Sequence, residues 1–362
     1  MTPVYSRQIP PTIAWKGSDL RGKEDVTIEL TSAQLRVLVD RLRDVNRRKV
    51  KLGHISHADF VDSALAEPLG RAFDEIMNRR GVVVLRRLPV RDFSDEDVSR
   101  IYWGLGTYFG IGLSQSAVGD VLGNVVDATD GGKRATRGYQ SNRELWLHTD
   151  NAETVGLCCV RQAKEGGESV LVNALAIHNE ILASHPGHLD MLYEGFPYHR
   201  RGEQGLQQDL ITPYNVPVFS NCDGQVSCFF LREAMVPALR AKNLTLTPAQ
   251  RAALDCFDEI SLRDDIVWRF RLEPGEVLFF NNYTHLHART EFVNGDSPEQ
   301  QRLLLRLWLD VPNGRKVVPE IHIYENAGGR GGIDRQDDAG RAKEKYLFTP
   351  AETRAFQTSR IW

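Results

Sequence analysis

Hydrophobic periodicity and turn chemistry point to a mainly β protein, a barrel or sandwich flanked by helices. Short apolar runs rich in β-branched and aromatic residues recur at 154–162, 168–172, 216–220, 226–231, 266–272, 277–281 and 302–310. Glycine and proline turns such as Glu273-Pro274-Gly275 separate them, as in closed antiparallel folds. No glycine motif of a dinucleotide or phosphate loop is present, and the runs read as a barrel or sandwich rather than a parallel sheet.

In chain order, residues 1–30 carry no period and read as an extended arm. After Thr31, Leu35, Leu38, Val39, Leu42 and Val45 recur at helical spacing, so 32–47 reads as an amphipathic helix. Leu69, Ala72, Phe73, Ile76 and Met77 give a second helix over 69–80, with Gly81 placed to cap its end. The β-branched run 82–88 is a strand, and Ser94 with Asp97 resembles the start of a further helix. Residues 110–142, rich in Gly, Ser and Asp, form a loop too long for an ordinary connection, hence functional or mobile. Asn173 caps one helix and Thr247-Pro248 opens another. The glycine-rich, charged tail from 312 reads as a surface excursion able to reach a neighbouring subunit in a homo-oligomer.

Composition narrows the partners. With 41% apolar residues in 362, the chain can bury a sizeable core, so disorder and fibrous classes are excluded. Lys plus Arg is 45 against 48 for Asp plus Glu, a net charge of -3 that leaves no global basic footprint for nucleic acid or anionic membranes. No apolar run approaches the roughly 18 to 20 residues of a membrane span, and MTPVYSRQIPPTIAWKG lacks a signal-peptide pattern. A cytoplasmic protein acting on a small molecule is the expectation. Five cysteines without a CxxC pair read as reduced thiols.

The chemistry concentrates in three places. If Trp146-Leu147-His148-Thr149-Asp150 is extended, His148 and Asp150 share a face and supply two-thirds of a two-histidine, one-carboxylate site for non-haem Fe(II). The third ligand is His285 or His287, both on one face of a second extended segment behind a Pro-Gly turn. Beyond lies Arg302-Leu-Leu-Leu-Arg306-Leu-Trp-Leu. Alternation puts Arg302, Leu304, Arg306 and Trp308 on one face and Leu303, Leu305, Leu307 and Leu309 on the other. So apolar a strand is buried, and each guanidinium on it needs an anion, from this chain or from a ligand. His54-x-x-His57 and His185-x-x-His188 have metal-like spacing but read as helix-boundary or exposed histidines.

The HTD motif, the distant H-A-R and the R-x3-R strand together resemble the taurine dioxygenase (TauD/TfdA) and clavaminate synthase-like family of Fe(II)- and 2-oxoglutarate-dependent oxygenases. GGESVLVNALAIHNEIL and GEVLFFNNYTHLHART look like further stretches of it, and the similarity covers roughly 80–312. The resemblance implies a double-stranded β-helix, or jelly roll, over 81–312. Arm and helices (1–80) pack on it, a lid insert lies at about 200–260, and 313–362 form a C-terminal extension. It implies iron ligands His148, Asp150 and His287, the last chosen over His285 by aligning H-A-R with H-G-R. It places Arg302 on the distal carboxylate of 2-oxoglutarate and Arg306 on the substrate or the co-substrate. Val172 stands where relatives have a threonine for 2-oxoglutarate, leaving Asn173 to substitute. Substrate contacts would come from the preceding loop: Arg137, Tyr139, Gln140, Ser141 and Asn142. The implied reaction oxidises a C–H bond of a small carboxylate or amino-acid-like metabolite, by hydroxylation, desaturation or cyclisation, with release of succinate and CO2. An intact Asp150 argues against a halogenase. A zinc hydrolase on the same ligands leaves the strand arginines unexplained, and a non-catalytic binding barrel predicts no succinate.

Overall fold

The computed structural model describes residues 2–128, 140–324 and 330–336. Its strands are β1 (Thr27–Glu29), β2 (Val82–Arg86), β3 (Ile111–Gly112), β4 (Leu122–Val125), β5 (Leu145–His148), β6 (Thr154–Arg161), β7 (Glu165–Gly166), β8 (Ser169–Asn173), β9 (Phe219–Cys222), β10 (Gln225–Cys228), β11 (Val267–Phe270), β12 (Val277–Asn281), β13 (His285–Arg289), β14 (Phe292–Val293) and β15 (Leu303–Asp310). The helices are α1 (Ser32–Arg47), α2 (His57–Phe60), α3 (Ser63–Asn78), α4 (Asp95–Gly106), α5 (Ala174–Ser184), α6 (Gly187–Glu194), α7 (Arg232–Ala241) and α8 (Pro248–Ser261).

Two sheets make a double-stranded β-helix. The larger runs β1-β2-β12-β6-β15-β3, with β4 also on β15; the smaller runs β11-β8-β13-β5. The alternation of β15 divides the interior. Leu303, Leu305, Leu307 and Leu309 pack among residues of α1, α3 and α4, whereas Leu304 and Trp308 join the core that spans both sheets. At roughly 25 cal/mol per Å2 of apolar surface, each such leucine contributes about 1.5–3 kcal/mol. Slipping β15 by one residue would turn all four toward the cavity and both arginines into the helices.

Local chemistry explains most boundaries. Thr31 and Gln34 form a reciprocal cap at α1, and Thr247 with Gln250 does the same at α8. Helix α3 starts at Ser63, earlier than the apolar period suggests, because Pro68 does not stop it. Pro68 has no N–H to give Ala64, whose carbonyl accepts from the Gln34 side chain at 3.1 Å instead. Asp223 and Gly224, both at positive φ, make the two-residue turn between β9 and β10.

Three segments differ from expectation. The N-terminal arm is not merely extended: Thr27–Glu29 pairs parallel with β2, and Trp15 is buried with its indole N–H on the Arg80 carbonyl. Within the long loop, β4 pairs with Leu304–Leu307; Gly123 and Asn124 break the apolar alternation that would have marked it. Nor is the tail a surface excursion at its start. Val318, Ile321 and Ile323 are buried, and Ile333 donates its N–H to the Ser114 carbonyl. All five cysteines are free, and Cys158, Cys159 and Cys228 are buried. Among the described residues, no helix is long and apolar enough to cross a membrane.

Candidate active site

Strand pairing brings the distant motifs together. His287 on β13 lies opposite His148 on β5 and, on its other side, opposite Leu171 on β8. The two imidazole centroids are 4.2 Å apart. Asp150 follows β5 in a turn held by Asn282, whose side chain accepts the Asp150 N–H and donates to the Asp150 and Ala152 carbonyls. His287 Nε2 is 3.5 Å from Asp150 Oδ2, and His148 Nε2 is 3.9 Å from Oδ1. One donor atom from each of the three residues lies within 4.8 Å of the others.

The surroundings set the state of His148 and Asp150. The His148 Nδ1–H donates to the Trp146 carbonyl at 2.7 Å, so Nε2 presents its lone pair to the centre. Burial, with His287 alongside, pushes the His148 pKa down to about 4. Burial alone would raise the Asp150 carboxyl, but Arg306 and the two histidines hold it far below the usual carboxylate range. Arg306 Nη1 is 3.2 Å from both carboxylate oxygens, and the Trp308 indole N–H donates to Oδ2 at 2.8 Å. Gln115 in turn accepts from Arg306 Nε and donates to the Arg306 carbonyl. Two imidazole nitrogens and one carboxylate, with an open cavity beside them, form a donor set suited to Fe(II).

His285 shares the inward face but lies under Trp15, 5.4 Å between ring centroids, with Nδ1 against the Thr284 hydroxyl and the Asn281 carbonyl. Gly81 packs on it: a Cβ there would sit 2.5 Å from His285 Cε1, and φ is +79°. The donor set includes His287 and leaves His285 out.

A second feature adjoins the first. Arg302 is buried, donating through Nη1 to Gln162 Oε1 and to the Gly167 carbonyl, and its Nε has no partner. Gly167 must be glycine, since its φ is +69° and a Cβ would meet Arg302 Nη1 at 2.5 Å. Arg289, the arginine of H-A-R, is also buried; Nη2 donates to the Arg143 carbonyl while Nε and Nη1 have no partner. Burial pushes Arg302 down to about 10, and burial with Arg302 nearby pushes Arg289 down to about 9. Neither has a carboxylate within ion-pair distance among the described residues. Two buried guanidiniums with unused donors make an anion site. Reading the sequence missed Arg289, because an arginine two positions beyond a histidine at a strand end looks solvated.

Arg302, Arg306, Arg289, Ser169 and the three donor residues share one cavity of about 370 Å3. Asn173 is not part of it. Its Oδ1 accepts from the Leu175 and Ala176 N–H groups, and its Nδ2 donates to the Ile13 carbonyl, so it caps α5 and ties down the arm away from the cavity. Val172 points to the opposite face, and the hydroxyl on the cavity side is Ser169. From the loop, Gln140 lines the cavity, whereas Ser141 and Asn142 do not; the Asn142 carbonyl receives the Phe292 N–H. Arg137 and Tyr139 lie outside the described residues. Of the expected lid, Arg201–Glu203, Phe229 and Leu231–Glu233 border the cavity, while α8 packs on α5 and α6.

The family model for the taurine catabolism dioxygenase TauD, TfdA family matches residues 46–308. The chain belongs to the TauD/TfdA family. It is an Fe(II)- and 2-oxoglutarate-dependent dioxygenase. It is 25% identical over 332 residues to FR-33289 synthase of Streptomyces rubellomurinus, covering 90% of this chain and 96% of that one. It is 26% identical over 354 residues to the taurine hydroxylase-like protein SAT17 of Stachybotrys chartarum, covering 93% and 87%. Its fold is shared with the non-haem iron oxygenase OrfP (TM-score 0.58, 13% identity, 85% and 99% covered) and with asparagine oxygenase (TM-score 0.56, 14% identity, 79% and 94% covered).

Proposed function

We propose that His148, Asp150 and His287 hold the iron. Arg302, with Arg289 and Ser169 beside it, holds the distal carboxylate of 2-oxoglutarate, and the substrate is a small amino-acid-like metabolite oxidised at a C–H bond. The observation that carries this reading is the pair of buried guanidiniums with unused donors beside a His/Asp/His set in one cavity. Bound there, Fe(II) and 2-oxoglutarate supply the oxidising power, with O2 consumed and succinate and CO2 released.

The chain's own residues supply placement. His148 binds as a neutral imidazole because the Trp146 carbonyl holds its Nδ1 proton. Asp150 stays ionised because Arg306 and Trp308 satisfy it. Arg306 is thereby a positioning residue, acting through Asp150. Val125, Leu147, Leu157, Leu304 and Phe229 on the cavity wall exclude water from the reacting region. Arg201, Glu203, Arg232 and Glu233 also line the cavity, Arg201 pairing with Glu233 at 3.2 Å and Arg232 with Asp258 on α8. Charges of both signs suit a zwitterion. The asparagine oxygenase structure holds 3-hydroxyasparagine and an OrfP structure holds hydroxy-L-arginine, both amino acids, in agreement with this class.

Anaerobic addition of Fe(II) and then 2-oxoglutarate to the metal-free protein is expected to produce the weak visible charge-transfer band of the chelate, absent in His148→Ala. Succinate release is then expected to rise with an amino-acid-like compound. No band, with zinc bound instead, overturns the ligand assignment. Turnover only with sulfonates or phosphonates overturns the substrate class.

A further inference from the structure

A second cluster of metal-ligating side chains stands among the helices. The turn between α5 and α6 reads His185-Pro186-Gly187-His188, and the His188 N–H bonds the His185 carbonyl at 2.9 Å. This tight turn stacks the two imidazoles, with centroids 5.1 Å apart and planes 7° from parallel. Helix α8 packs across the turn and brings Cys256 in, its Sγ 3.9 Å from His185 Nδ1. One donor atom from each of His185, His188 and Cys256 lies within 4.8 Å of the others. The three differ in surroundings: His185 is exposed, Cys256 is half-buried, and His188 Nδ1 is buried with no hydrogen-bond partner.

We infer that His185, His188 and Cys256 form a second metal site, which takes zinc(II). One thiolate and two imidazoles make a borderline-soft donor set, which selects zinc over magnesium or calcium and differs from the nitrogen–carboxylate set around Asp150. Tetrahedral bonds of about 2.0–2.1 Å to nitrogen and about 2.3 Å to sulfur put donors about 3.3–3.6 Å apart. From 4.8 Å the donors must close by about an ångström, and the near-parallel rings must turn out of their stack so that both in-plane lone pairs meet at one ion. Water completes the fourth position on the exposed His185 side. As the Zn–S bond forms, Cys256 gives its thiol proton to solvent, while the imidazoles bind through neutral lone pairs, so one proton leaves per zinc and nothing is oxidised. The ion would clip the α5–α6 turn to α8. Neither half of the site is legible alone: the two histidines look like a helix boundary, and the cysteine lies far along the chain.

Cobalt(II) added to the full-length, iron-loaded protein is the direct probe, because a thiolate ligand gives a near-ultraviolet charge-transfer band that the His148 set lacks. The expected result is one equivalent of cobalt with that band, displaced by zinc, and absent in Cys256→Ser. Succinate formation by Cys256→Ser should equal that of the parent. His185→Gln, at an exposed position that leaves the fold alone, should weaken zinc binding at least tenfold. No sulfur band in the parent, the same band in Cys256→Ser, or unchanged zinc affinity in His185→Gln each overturns the site.

Discussion

On the proposed reading, Arg302 is the single side chain that decides co-substrate affinity. Its apolar strand made it legible, since a guanidinium amid leucines must meet an anion, and no carboxylate of the described residues reaches it. Hydrogen bonds to charged groups contribute about 1.5–3 kcal/mol. Arg302→Gln is therefore expected to raise KM for 2-oxoglutarate roughly 10- to 150-fold. Succinate formation against co-substrate concentration measures it. An unchanged KM would return the role to Arg289. His285 and His287 show where residue-scale reading stops. Two positions apart on a strand, they face the same way, and what separates them is Trp15 and Gly81, brought in from the far end of the sequence. The Asp150–Arg306–Trp308 contact was likewise half visible: alternation put Arg306 and Trp308 on one face, but not against the carboxylate.

Elements with regular period or a cap were readable, and those defined by their neighbours were not. The end of β8 and the start of α5 were both marked by Asn173, whose cap is as the sequence indicates. Its second expected role, in co-substrate binding, fails because a single amide cannot cap a helix, bond Ile13 and face a cavity at once. Asn173→Ala is expected to cost about 1–2 kcal/mol in urea unfolding and to leave KM for 2-oxoglutarate within twofold of the parent. A large KM change with little loss of stability would reverse that assignment. The short β4 and the buried start of the tail had no readable signal, because each is extended only by virtue of what it packs on: β15 for one, and the cavity mouth for the other.

At the scale of the whole molecule, burial links stability to acidity. His178, inside α5, is fully buried against Phe219 with Nε2 on the Tyr193 hydroxyl, and burial pushes its pKa down to about 4 from 6.5. The unfolded chain therefore binds a proton here between pH 6.5 and 4 that the folded protein does not. Stability falls as pH drops through that window and is complete above 6.5, a difference on the order of 3 kcal/mol. The gap in unfolding free energy between the parent and His178→Asn should widen by that amount from pH 4 to 7; a constant gap would count against it. The larger sheet has a different consequence, for synthesis. β12 joins β2 to β6, and β15 joins β6 to β4, so each closure waits for chain made more than a hundred residues later. A ribosome must pass residue 310 before β6 finds its outer neighbour. Until then the nascent chain carries an open, apolar strand edge. Yield in a host cell is thus governed by how long that edge stays uncovered, and slow, cool expression with chaperone capacity to spare is the regime the topology favours.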